Sequence, residues 1–515
     1  MGIRYAPAMT GLKTVVVGDH LTLEGLEAVA LGEAKVSLGR RGRDALERAH
    51  EVVRAGLADG GKAIYGINTG FGALAEVPID GQDLRTLQRN LIVSHAVGVG
   101  ASLSQEVVRG MMLLRANVLS LGYSGARPLV VETLIEMINA GVHPRIPSKG
   151  SVGACGDLAP LAHLALVLIG EGKAEYQGDI VPGAEAMSRA GLKPVVLEAK
   201  EGLALINGTQ GMLAIGGLAL CRGKRLLENA DLTGAMSLEA LKGSVGPFHE
   251  MVVEARPHPG ALASAKHLRS LLANSQIVES HADCKEVQDA YSLRCMPQVH
   301  GSARDILTFV EGVLSIELNS ATDNPLILPD GRLQSGGNFH GQPVASALDA
   351  ACIAMTDLSS ISERRIAQMV DPTLSRGLPA FLALDSGLNS GLMMAQVTAA
   401  ALVSESKALS MPKSVDTIPT SADREDHVSM GMTAARAFET IVEHAEYVLS
   451  IEAFAAAQGI WLRHITPGNG VERAMTLLMS TVEPLTEDRV MTGDMEKIHG
   501  LIVGGSLLAA AHGKS

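Results

Sequence analysis

One segment near the carboxyl end of the chain constrains the fold more than any other. Between residues 428 and 461, apolar side chains recur every three or four positions, as one buried face of a helix requires. The stripe consists of Phe438, Ile441, Val442, Ala445, Val448 and Leu449. A continuous helix of this length extends about 50 Å, at about 1.5 Å per residue. Helices so long must pack along one another, so the segment predicts a helical bundle.

Other segments show the same helical spacing, and we therefore predict an all-α (mainly α) fold with a smaller mixed N-terminal region. They cover roughly residues 105–122, 128–145, 202–230, 296–320, 343–370 and 390–411. We expect Gly122 to end the first helix, and Pro144 and Pro147 to end the second. The runs KTVVVGDH and AKVSL predict short strands in the N-terminal region, and EYQGDIVPG predicts a hairpin.

Composition narrows the class of protein. Hydrophobic residues make up 47% of the chain and charged residues 19%, which excludes a disordered chain and favours an oligomer with a buried interface. The net charge of −12, without a basic block, argues against nucleic acid binding. No apolar run approaches the roughly 18–20 residues that span a bilayer, and the first residues lack a signal-peptide core. The five scattered cysteines are typical of a cytoplasmic protein.

The run GSVGACGDLAPLAH, residues 150–163, places Cys155 among small residues. As a metal ligand, Cys155 lacks a partner at CxxC or CxxH spacing. As a nucleophile it needs a base, and Asp157 is a poor one, which leaves His163 from elsewhere in the fold. As a small buried residue it would simply fill a tight turn.

A fourth interpretation of Cys155 is backbone chemistry. Gly156 has no Cβ, so its amide nitrogen can approach the carbonyl of Ala154 without steric penalty. Attack of that nitrogen, with loss of water, closes a five-membered ring. Cys155 can then eliminate hydrogen sulfide, as serine would eliminate water, and either residue leaves the same electrophilic exocyclic alkene.

The same run resembles the signature of the aromatic amino acid ammonia-lyases, most closely those that act on histidine. The resemblance covers most of residues 60 to 460. It includes the polar loops YGINTGFG (65–72), INGTQ (206–210), QDAYSLRC (288–295), SGGNFHG (335–341) and TSADREDHVSMG (420–431). That family makes 4-methylideneimidazol-5-one from Ala-Ser-Gly. The resemblance therefore implies the same autocatalytic cofactor from Ala154-Cys155-Gly156, with Cys155 standing where the family has serine.

The resemblance also implies the reaction and the assembly. The reaction is the non-oxidative deamination of L-histidine to trans-urocanate and ammonia, the first step of histidine degradation. The fold is a fumarase/aspartase-like helical core, with residues 1–104 as an N-terminal region carrying a mobile tyrosine loop and residues 105–515 as the catalytic bundle. The implied assembly is a cytoplasmic homotetramer in which three subunits build each active site. We expect no metal, nucleic acid or membrane partner.

Several residues match family positions with catalytic roles. Tyr65 matches a tyrosine that we expect to remove the β-proton of the substrate, and Tyr291 matches a second essential tyrosine, as support or proton relay. A phenol has a pKa near 10, so the base needs nearby positive charge to lower it. Arg294 matches the residue that holds the α-carboxylate, which a guanidinium can do with two parallel hydrogen bonds.

Five further positions match the family's binding residues. Asn207 and Gln288 match residues that hydrogen-bond the cofactor carbonyl and the substrate. Phe339 matches an aromatic beside the cofactor. His95 matches a selectivity position that is histidine in both histidine and tyrosine lyases. Glu425 matches a glutamate typical of the histidine enzymes, where a carboxylate accepts the imidazole N–H.

The residues before Glu425 depart from the family, since Asp423 and Arg424 replace its commoner Asn-Gln. We expect an Arg424–Glu425 interaction to reshape the pocket.

Other functions stay open at this stage. The same scaffold serves tyrosine ammonia-lyases and aminomutases, and His95 does not separate these from a histidine enzyme. A third alternative is a silent helical oligomer in which Cys155 blocks cofactor formation. Tyr65, Tyr291 and Arg294 argue against it, because a scaffold without activity has no need of all three.

Overall fold

A computed structural model describes residues 13–58, 67, 69–70, 77, 79–282 and 287–514 of the chain. Helices account for most of them, which confirms the predicted mainly helical class. The helices are α1 (Leu23–Ala30), α2 (Arg40–Ala58), α3 (Leu84–His95), α4 (Gln105–Ser120), α5 (Pro128–Ala140), α6 (Leu158–Leu168), α7 (Gly183–Arg189), α8 (Glu201–Ile206), α9 (Gln210–Ala240), α10 (Glu250–Glu254), α11 (Pro259–Leu271), α12 (Gln276–Glu279), α13 (Tyr291–Arg294), α14 (Met296–Glu317), α15 (Gln342–Val370), α16 (Met393–Leu409), α17 (Gly431–Arg463), α18 (Asn469–Thr481), α19 (Thr492–Val503) and α20 (Ser506–Ala511).

The strands are short and pair locally. They are β1 (Lys13–Val17), β2 (Ala34–Leu38), β3 (Val99–Ser102), β4 (His143–Pro144), β5 (Pro147–Lys149), β6 (Lys173–Tyr176), β7 (Asp179–Pro182), β8 (Leu326–Ile327) and β9 (Leu333–Gln334). Strands β1 and β2 pair in parallel, with Lys13 opposite Ala34. Strands β6 and β7 form the predicted antiparallel hairpin, and β4 pairs with β6. The other two antiparallel pairs are β3 with β5 and β8 with β9.

The chain divides into two compact units. The first comprises residues 1–221, 311–348 and 412–436, and the second comprises residues 222–310, 349–411 and 437–515. The functional division at residue 104, between a tyrosine-loop region and a catalytic bundle, stays a prediction.

The predicted apolar stripe lies on α17 and is buried in the second unit. Its six members have exposed fractions of at most 1%. At about 1.5–3 kcal/mol for each large apolar side chain removed from water, this stripe is a major source of stability for the unit. The periodicity therefore identified a core helix correctly.

Helix α4 shows how local sequence sets an element of the first unit. Ser104 caps its start, because the hydroxyl of that serine accepts a hydrogen bond from the amide of Val107 at 3.3 Å. Almost every residue after that first turn is buried, including the charged Arg115. Such burial places α4 at the centre of the unit.

Two predicted helix boundaries were wrong, for identifiable reasons. Helix α5 ends at Gly141, which adopts a left-handed conformation with φ of 75°, so the chain turns before Pro144 is reached. The helix predicted over residues 202–230 is interrupted, because α8 ends at Ile206 and α9 begins only at Gln210. The interruption places Asn207, a predicted site residue, in a turn between the two helices.

Helix α15 differs from the expectation that no segment could span a membrane. By length and composition it is apolar enough, with a mean hydropathy of 1.3 over its most apolar window. However, 67% of that window is buried inside the protein, as expected of a core helix.

Candidate active site

Residues 150–157, here named the ACG loop, connect β5 to α6. Asp157 ties the end of the loop to the start of α9. Its amide donates to the carbonyl of Gly208 at 2.7 Å, and its carboxylate accepts hydrogen bonds from the Met212 amide at 2.7 Å and the Ser151 hydroxyl at 2.8 Å. Burial raises the pKa of Asp157 to about 6, although these hydrogen bonds act in the opposite direction.

The segment that precedes α17 holds the other side of the ACG loop. The Met430 amide donates to the Val152 carbonyl at 2.8 Å, and the Ser429 hydroxyl donates to the Gly153 carbonyl at 3.0 Å. Ala154 is buried against the side chain of Met430 in a small apolar cluster. The backbone on the amino-terminal side of Cys155 is thus fixed by residues nearly 280 positions later in the chain.

Gly156 cannot be replaced by a larger residue without disturbing this loop. Its φ is +72°, in the left-handed region, and a Cβ at this position would lie 2.0 Å from the carbonyl oxygen of Gly208. The Gly208 amide also donates to the carbonyl of Cys155 at 3.2 Å. The ring chemistry proposed from the sequence requires a residue without a Cβ here, and the geometry requires the same, so the residues present fit the cofactor.

The thiol of Cys155 donates a hydrogen bond to Oε1 of Glu425 at 3.0 Å. Burial, followed by the hydrogen bond and the negative charge of Glu425, raises the pKa of this thiol far above its usual value. The thiol is therefore protonated at neutral pH, which is unfavourable for a nucleophile. His163, the base that a nucleophile would need, has its Nε2 occupied by the Gly98 amide at 3.1 Å.

Glu425 is ionised at neutral pH. Burial raises the pKa of its carboxyl, but hydrogen bonds, chiefly from Thr420 at 2.6 Å and from Cys155, together with the charge of His95, outweigh burial and lower the pKa. His95 is the last residue of α3, and its Nδ1 bonds the carbonyl of Leu91 at 2.8 Å. That bond uses Nδ1, so Nε2 is the ring nitrogen left to contact a bound molecule.

The turn that carries Glu425 is closed by its own backbone. The Thr420 amide donates to the Glu425 carbonyl at 3.0 Å, and the Arg424 amide donates to the Ser421 carbonyl at 3.3 Å. Within the described part of the chain, the side chains of Arg424 and Glu425 form no ion pair, so the expected interaction between them is not found.

Asn207 lies in the break between α8 and α9, where a buried arginine holds its backbone. Both terminal nitrogens of Arg115 donate to the Asn207 carbonyl at 3.0 Å, and the same guanidinium bonds the carbonyl of Ala204 at 2.8 Å and the side chain of Gln210. Burial lowers the pKa of Arg115 to about 10. Sequence reasoning missed Arg115, although one charge in the apolar run MMLLRANVLS is a detectable signal.

The side chain of Asn207 is only partly satisfied. Its Nδ2 donates to the Asn324 carbonyl at 3.3 Å, whereas its Oδ1 is buried and has no hydrogen-bond partner among the described residues. Such an orphaned atom costs about 1–3 kcal/mol. The amide of Asn207 is therefore suited to contact a bound group.

Phe339 lies half-buried in the loop of residues 335–341, which His340 attaches to the Glu425 turn. Nδ1 of His340 accepts from the Gln342 amide at 3.3 Å, so its Nε2 carries a proton and donates to the His427 carbonyl at 3.0 Å. The two imidazole rings also stack, with centroids 5.9 Å apart. Sequence reasoning named Phe339 but missed this histidine, whose position beside Phe339 in NFHG was the available signal.

The second unit carries the remaining described candidates. Tyr291 and Arg294 are the two ends of α13, and the guanidinium carbon of Arg294 lies 4.6 Å from the centroid of the Tyr291 ring. Nε of Arg294 is buried and unpaired within the described part of the chain. A guanidinium stacked on an aromatic ring and lacking an acceptor is suited to bind an anion. Gln288 is exposed just before this turn.

The predicted base, Tyr65, lies outside the described residues, so its role stays a prediction. Within the first unit, the structure groups the ACG loop with Asn207, through Gly208, and with Glu425, while the charge of His95 acts on the same carboxylate. Among the residues described, none form a group of three or more histidine, cysteine, aspartate or glutamate side chains that could hold a metal ion.

Comparison with known families decides the kinship of the chain. Residues 21–480 match the family model described as "Aromatic amino acid lyase". The chain belongs to the aromatic amino acid lyase family. This confirms the resemblance found in the sequence, and it accounts for the match of polar loops that are distant from one another along the chain.

Individual members of the family are similar over nearly the whole chain. A histidine ammonia-lyase from Stigmatella aurantiaca is 54% identical over 495 residues, covering 96% of this chain and 97% of that relative. The crystal structure of histidine ammonia-lyase from Trypanosoma cruzi superposes with a TM-score of 0.90 and 41% identity, covering 97% of this chain and 95% of that one. The tyrosine aminomutase of Streptomyces globisporus superposes with a TM-score of 0.92 at 35% identity, covering 98% of this chain and 99% of that one.

Proposed function

We propose that this chain eliminates ammonia from L-histidine to give trans-urocanate, as the first step of histidine degradation. The histidine ammonia-lyase of Stigmatella aurantiaca is 54% identical to this chain over almost the full length. The observation that carries the substrate assignment is the Glu425 carboxylate, ionised and held 3.0 Å from the sulfur of Cys155. A carboxylate beside the ACG loop can accept a hydrogen bond from an imidazole N–H. The side chains of tyrosine and phenylalanine have no such N–H to donate to Glu425.

The cofactor proposal is 4-methylideneimidazol-5-one, made from Ala154-Cys155-Gly156 with loss of one water and one hydrogen sulfide. Once formed, this group would supply an electrophilic double bond, the chemistry that makes the substrate amine a better leaving group. The positive φ of Gly156, its close approach to Gly208, and the clamps at Asp157 support this proposal, because they hold the backbone in a compact turn.

The protein's own residues position the substrate and move protons. Glu425 accepts the imidazole N–H, and His95 adds a second polar contact. Arg294 takes the α-carboxylate, for which its unpaired Nε is suited. Tyr65 removes the β-proton, and Tyr291, whose ring centroid lies 4.6 Å from the guanidinium carbon of Arg294, supports or relays it.

Three other residues have proposed roles in the reaction. Asn207 donates to the cofactor carbonyl from its amide nitrogen, of which Asn324 uses one N–H, and Gln288 hydrogen-bonds the substrate. Phe339 packs beside the cofactor, on a loop that His340 joins to the Glu425 turn.

We also propose a cytoplasmic homotetramer with active sites shared between subunits. Large apolar side chains are exposed on the long helices, including Phe309 on α14 (58%) and Met394 on α16 (61%). Apolar surface of this kind is typical of a subunit interface.

The substrate assignment is tested by the variant Glu425→Gln, with kcat/KM measured for L-histidine and L-tyrosine. Loss of the charge weakens one hydrogen bond by about 1–2 kcal/mol, so kcat/KM for histidine falls about 5- to 30-fold. The value for tyrosine, which makes no such bond, stays within about twofold. Asp426→Asn removes the same charge from an exposed neighbour and serves as the matched control.

Two results would contradict the proposal. Equal losses on both substrates would remove the assigned role of Glu425, and faster turnover of tyrosine by the unmodified enzyme would favour the tyrosine lyase or aminomutase alternative. That alternative is supported by the TM-score of 0.92 to a tyrosine aminomutase. The alternative of a silent oligomer is tested by the intact mass of the protein. A silent oligomer would keep the mass encoded by its sequence and a titratable thiol at Cys155.

A further inference from the structure

Helix α13 is too short to hold itself in place. It has only four residues, Tyr291–Arg294, and its N-cap residue Ala290 makes no side-chain capping bond. A single helical turn is unstable in isolation, because its nucleation cost exceeds the gain from one hydrogen bond. Yet this turn presents both Tyr291 and Arg294, so contacts from outside the turn must set their orientation.

Those contacts converge on Ser292, the buried residue between the two site side chains. The Ser292 hydroxyl accepts a hydrogen bond from Nε2 of Gln368 at 2.8 Å, and its carbonyl accepts one from Nη1 of Arg365 at 3.3 Å. Gln368 and Arg365 are three residues apart on α15, so they lie on the same face of that helix. One face of α15 therefore hydrogen-bonds both the side chain and the backbone of Ser292.

Arg365 is itself immobilised. Its side chain is fully buried, and its guanidinium pairs with the fully buried carboxylate of Glu452 on α17. The same carboxylate accepts hydroxyl hydrogen bonds from Thr233 and Ser237, both at 2.8 Å, and from Ser362 at 2.6 Å. A buried pair whose acceptors are saturated in this way has one arrangement available, so it forms a rigid support.

A second anchor fixes the residues that precede α13. The Asp289 carboxylate accepts a hydrogen bond from Nη2 of Arg376 at 2.8 Å and one from the Ser244 amide at 2.6 Å. The inward-facing residues Asp289 and Ser292 are thus held, while Gln288 and Tyr291 are exposed, Tyr291 by 71%. The segment has an anchored face and a presenting face.

We propose that Gln368 and Arg365 are positioning residues for the lyase reaction, which through Ser292 set the orientation of Tyr291 and Arg294. This inference rests on the proposed function. Gln368 is the better residue to test, because removal of Arg365 would leave the Glu452 charge buried without a partner and endanger folding. Gln368 is half-buried and makes a neutral bond, so its loss is tolerable to the fold.

The test compares Gln368→Leu with the control Gln396→Leu. Gln396, also half-buried, donates from α16 to Glu363 on α15 at 2.9 Å. The control therefore removes a glutamine hydrogen bond to the same helix, in this case to a carboxylate that Arg364 also contacts, and leaves Ser292 unchanged. We expect kcat/KM for L-histidine to fall about 10- to 100-fold in Gln368→Leu, the range for small misplacements of catalytic groups, and to stay near wild type in the control. Both variants should unfold at similar temperatures and show the mass of the mature enzyme.

Inhibition separates positioning from a general loss of structure. 3-(Imidazol-4-yl)propionate has the carboxylate that Arg294 binds, whereas imidazole alone lacks it. We expect Gln368→Leu to raise the inhibition constant of the propionate about tenfold and to leave that of imidazole unchanged. Ser292→Ala should reproduce these effects. The double variant should be no worse than either single variant, because each of the three variants removes the same hydrogen bond between Gln368 and Ser292.

Several outcomes would overturn the inference. These are unchanged kinetics in Gln368→Leu, an equal loss in Gln396→Leu, equal weakening of both inhibitors, or additive losses in the double variant. Failure of the proposed function is visible separately, because wild-type enzyme would then not deaminate L-histidine. In that case the same variants are compared on the amino acid that the enzyme does turn over, whose α-carboxylate needs the same arginine.

Discussion

Replacement of Gly156 by alanine tests the structural requirement of the ACG loop most directly. The left-handed backbone at this position costs a residue with a Cβ about 1–2 kcal/mol. In addition, the new methyl group would lie 2.0 Å from the Gly208 carbonyl oxygen. An ordinary van der Waals contact is longer by more than about 1 Å, so the backbones at residues 156 and 208 must move apart by roughly that distance.

That separation breaks two hydrogen bonds. They run from the Asp157 amide to the Gly208 carbonyl, at 2.7 Å, and from the Gly208 amide to the Cys155 carbonyl, at 3.2 Å. At about 0.5–1.5 kcal/mol each, their loss brings the total destabilisation by Gly156→Ala to about 2–5 kcal/mol. Ring closure requires the nitrogen of residue 156 to approach the Ala154 carbonyl, and we expect the displaced turn to prevent it.

Gly191 provides a matched control. Its φ of +74° is nearly that of Gly156, but a Cβ there would meet no heavy atom within 4 Å. Gly191→Ala should therefore lose only the backbone contribution of about 1–2 kcal/mol. The measurements are the urea midpoint of unfolding and the intact mass of each variant.

We expect Gly191→Ala to lose one water and one hydrogen sulfide, like the wild type, and Gly156→Ala to keep its encoded mass and to unfold at lower urea. A mature mass for Gly156→Ala would refute the reasoning, because it would show that the approach of residue 156 to Gly208 is not needed for ring formation. Equal urea midpoints for the two variants would refute the energetic part alone.

Two further predictions concern the same loop. Cys155→Ser should mature with loss of two waters and keep lyase activity, because serine leaves the same alkene; intact mass and the formation of urocanate check this. Asp157 has its pKa raised to about 6 by burial, so the folded protein binds more protons than the unfolded chain between about pH 4 and pH 6. The free energy of unfolding of the wild type relative to that of Asp157→Asn should therefore decrease as pH rises through this window; an identical pH dependence in both proteins would contradict the assignment.

Much of the helical frame could be predicted because periodicity reports a local property. The stripe from Phe438 to Leu449 is buried as expected, since the side chains on one face of a helix share one environment. The β6–β7 hairpin was likewise predictable from its turn residues.

The break at Asn207 has a local signal, because the Asn-Gly pair of the loop INGTQ is typical of a turn, although the helix was predicted across it. What local sequence does not show is the residue that stabilises the turn, Arg115, a guanidinium from 92 positions earlier in the chain. The end of α5 was mistaken for a related reason: a glycine at position 141 and a proline at position 144 are both helix terminators, and only the backbone conformation decides between them.

The candidate site residues could be predicted from family motifs. The long-range contacts that hold them in position could not. Glu425 was assigned from TSADREDHVSMG, but nothing in the sequence shows that its carboxylate meets the thiol of a residue 270 positions away. The same is true of Arg365 and Glu452, which are 87 positions apart and look like ordinary charged residues of amphipathic helices. Long-range pairing of this kind leaves no trace in local spacing.

The contact between the Cys155 thiol and Glu425 has a consequence for newly made protein. Under the proposed chemistry, the sulfur that departs during ring formation is also a hydrogen-bond donor to Glu425, the residue proposed to recognise an imidazole. In an immature subunit, one oxygen of the Glu425 carboxylate is thus engaged by the thiol of Cys155. Loss of hydrogen sulfide creates the electrophilic alkene and frees that oxygen of Glu425 in one event. A subunit therefore acquires reactivity and substrate recognition together.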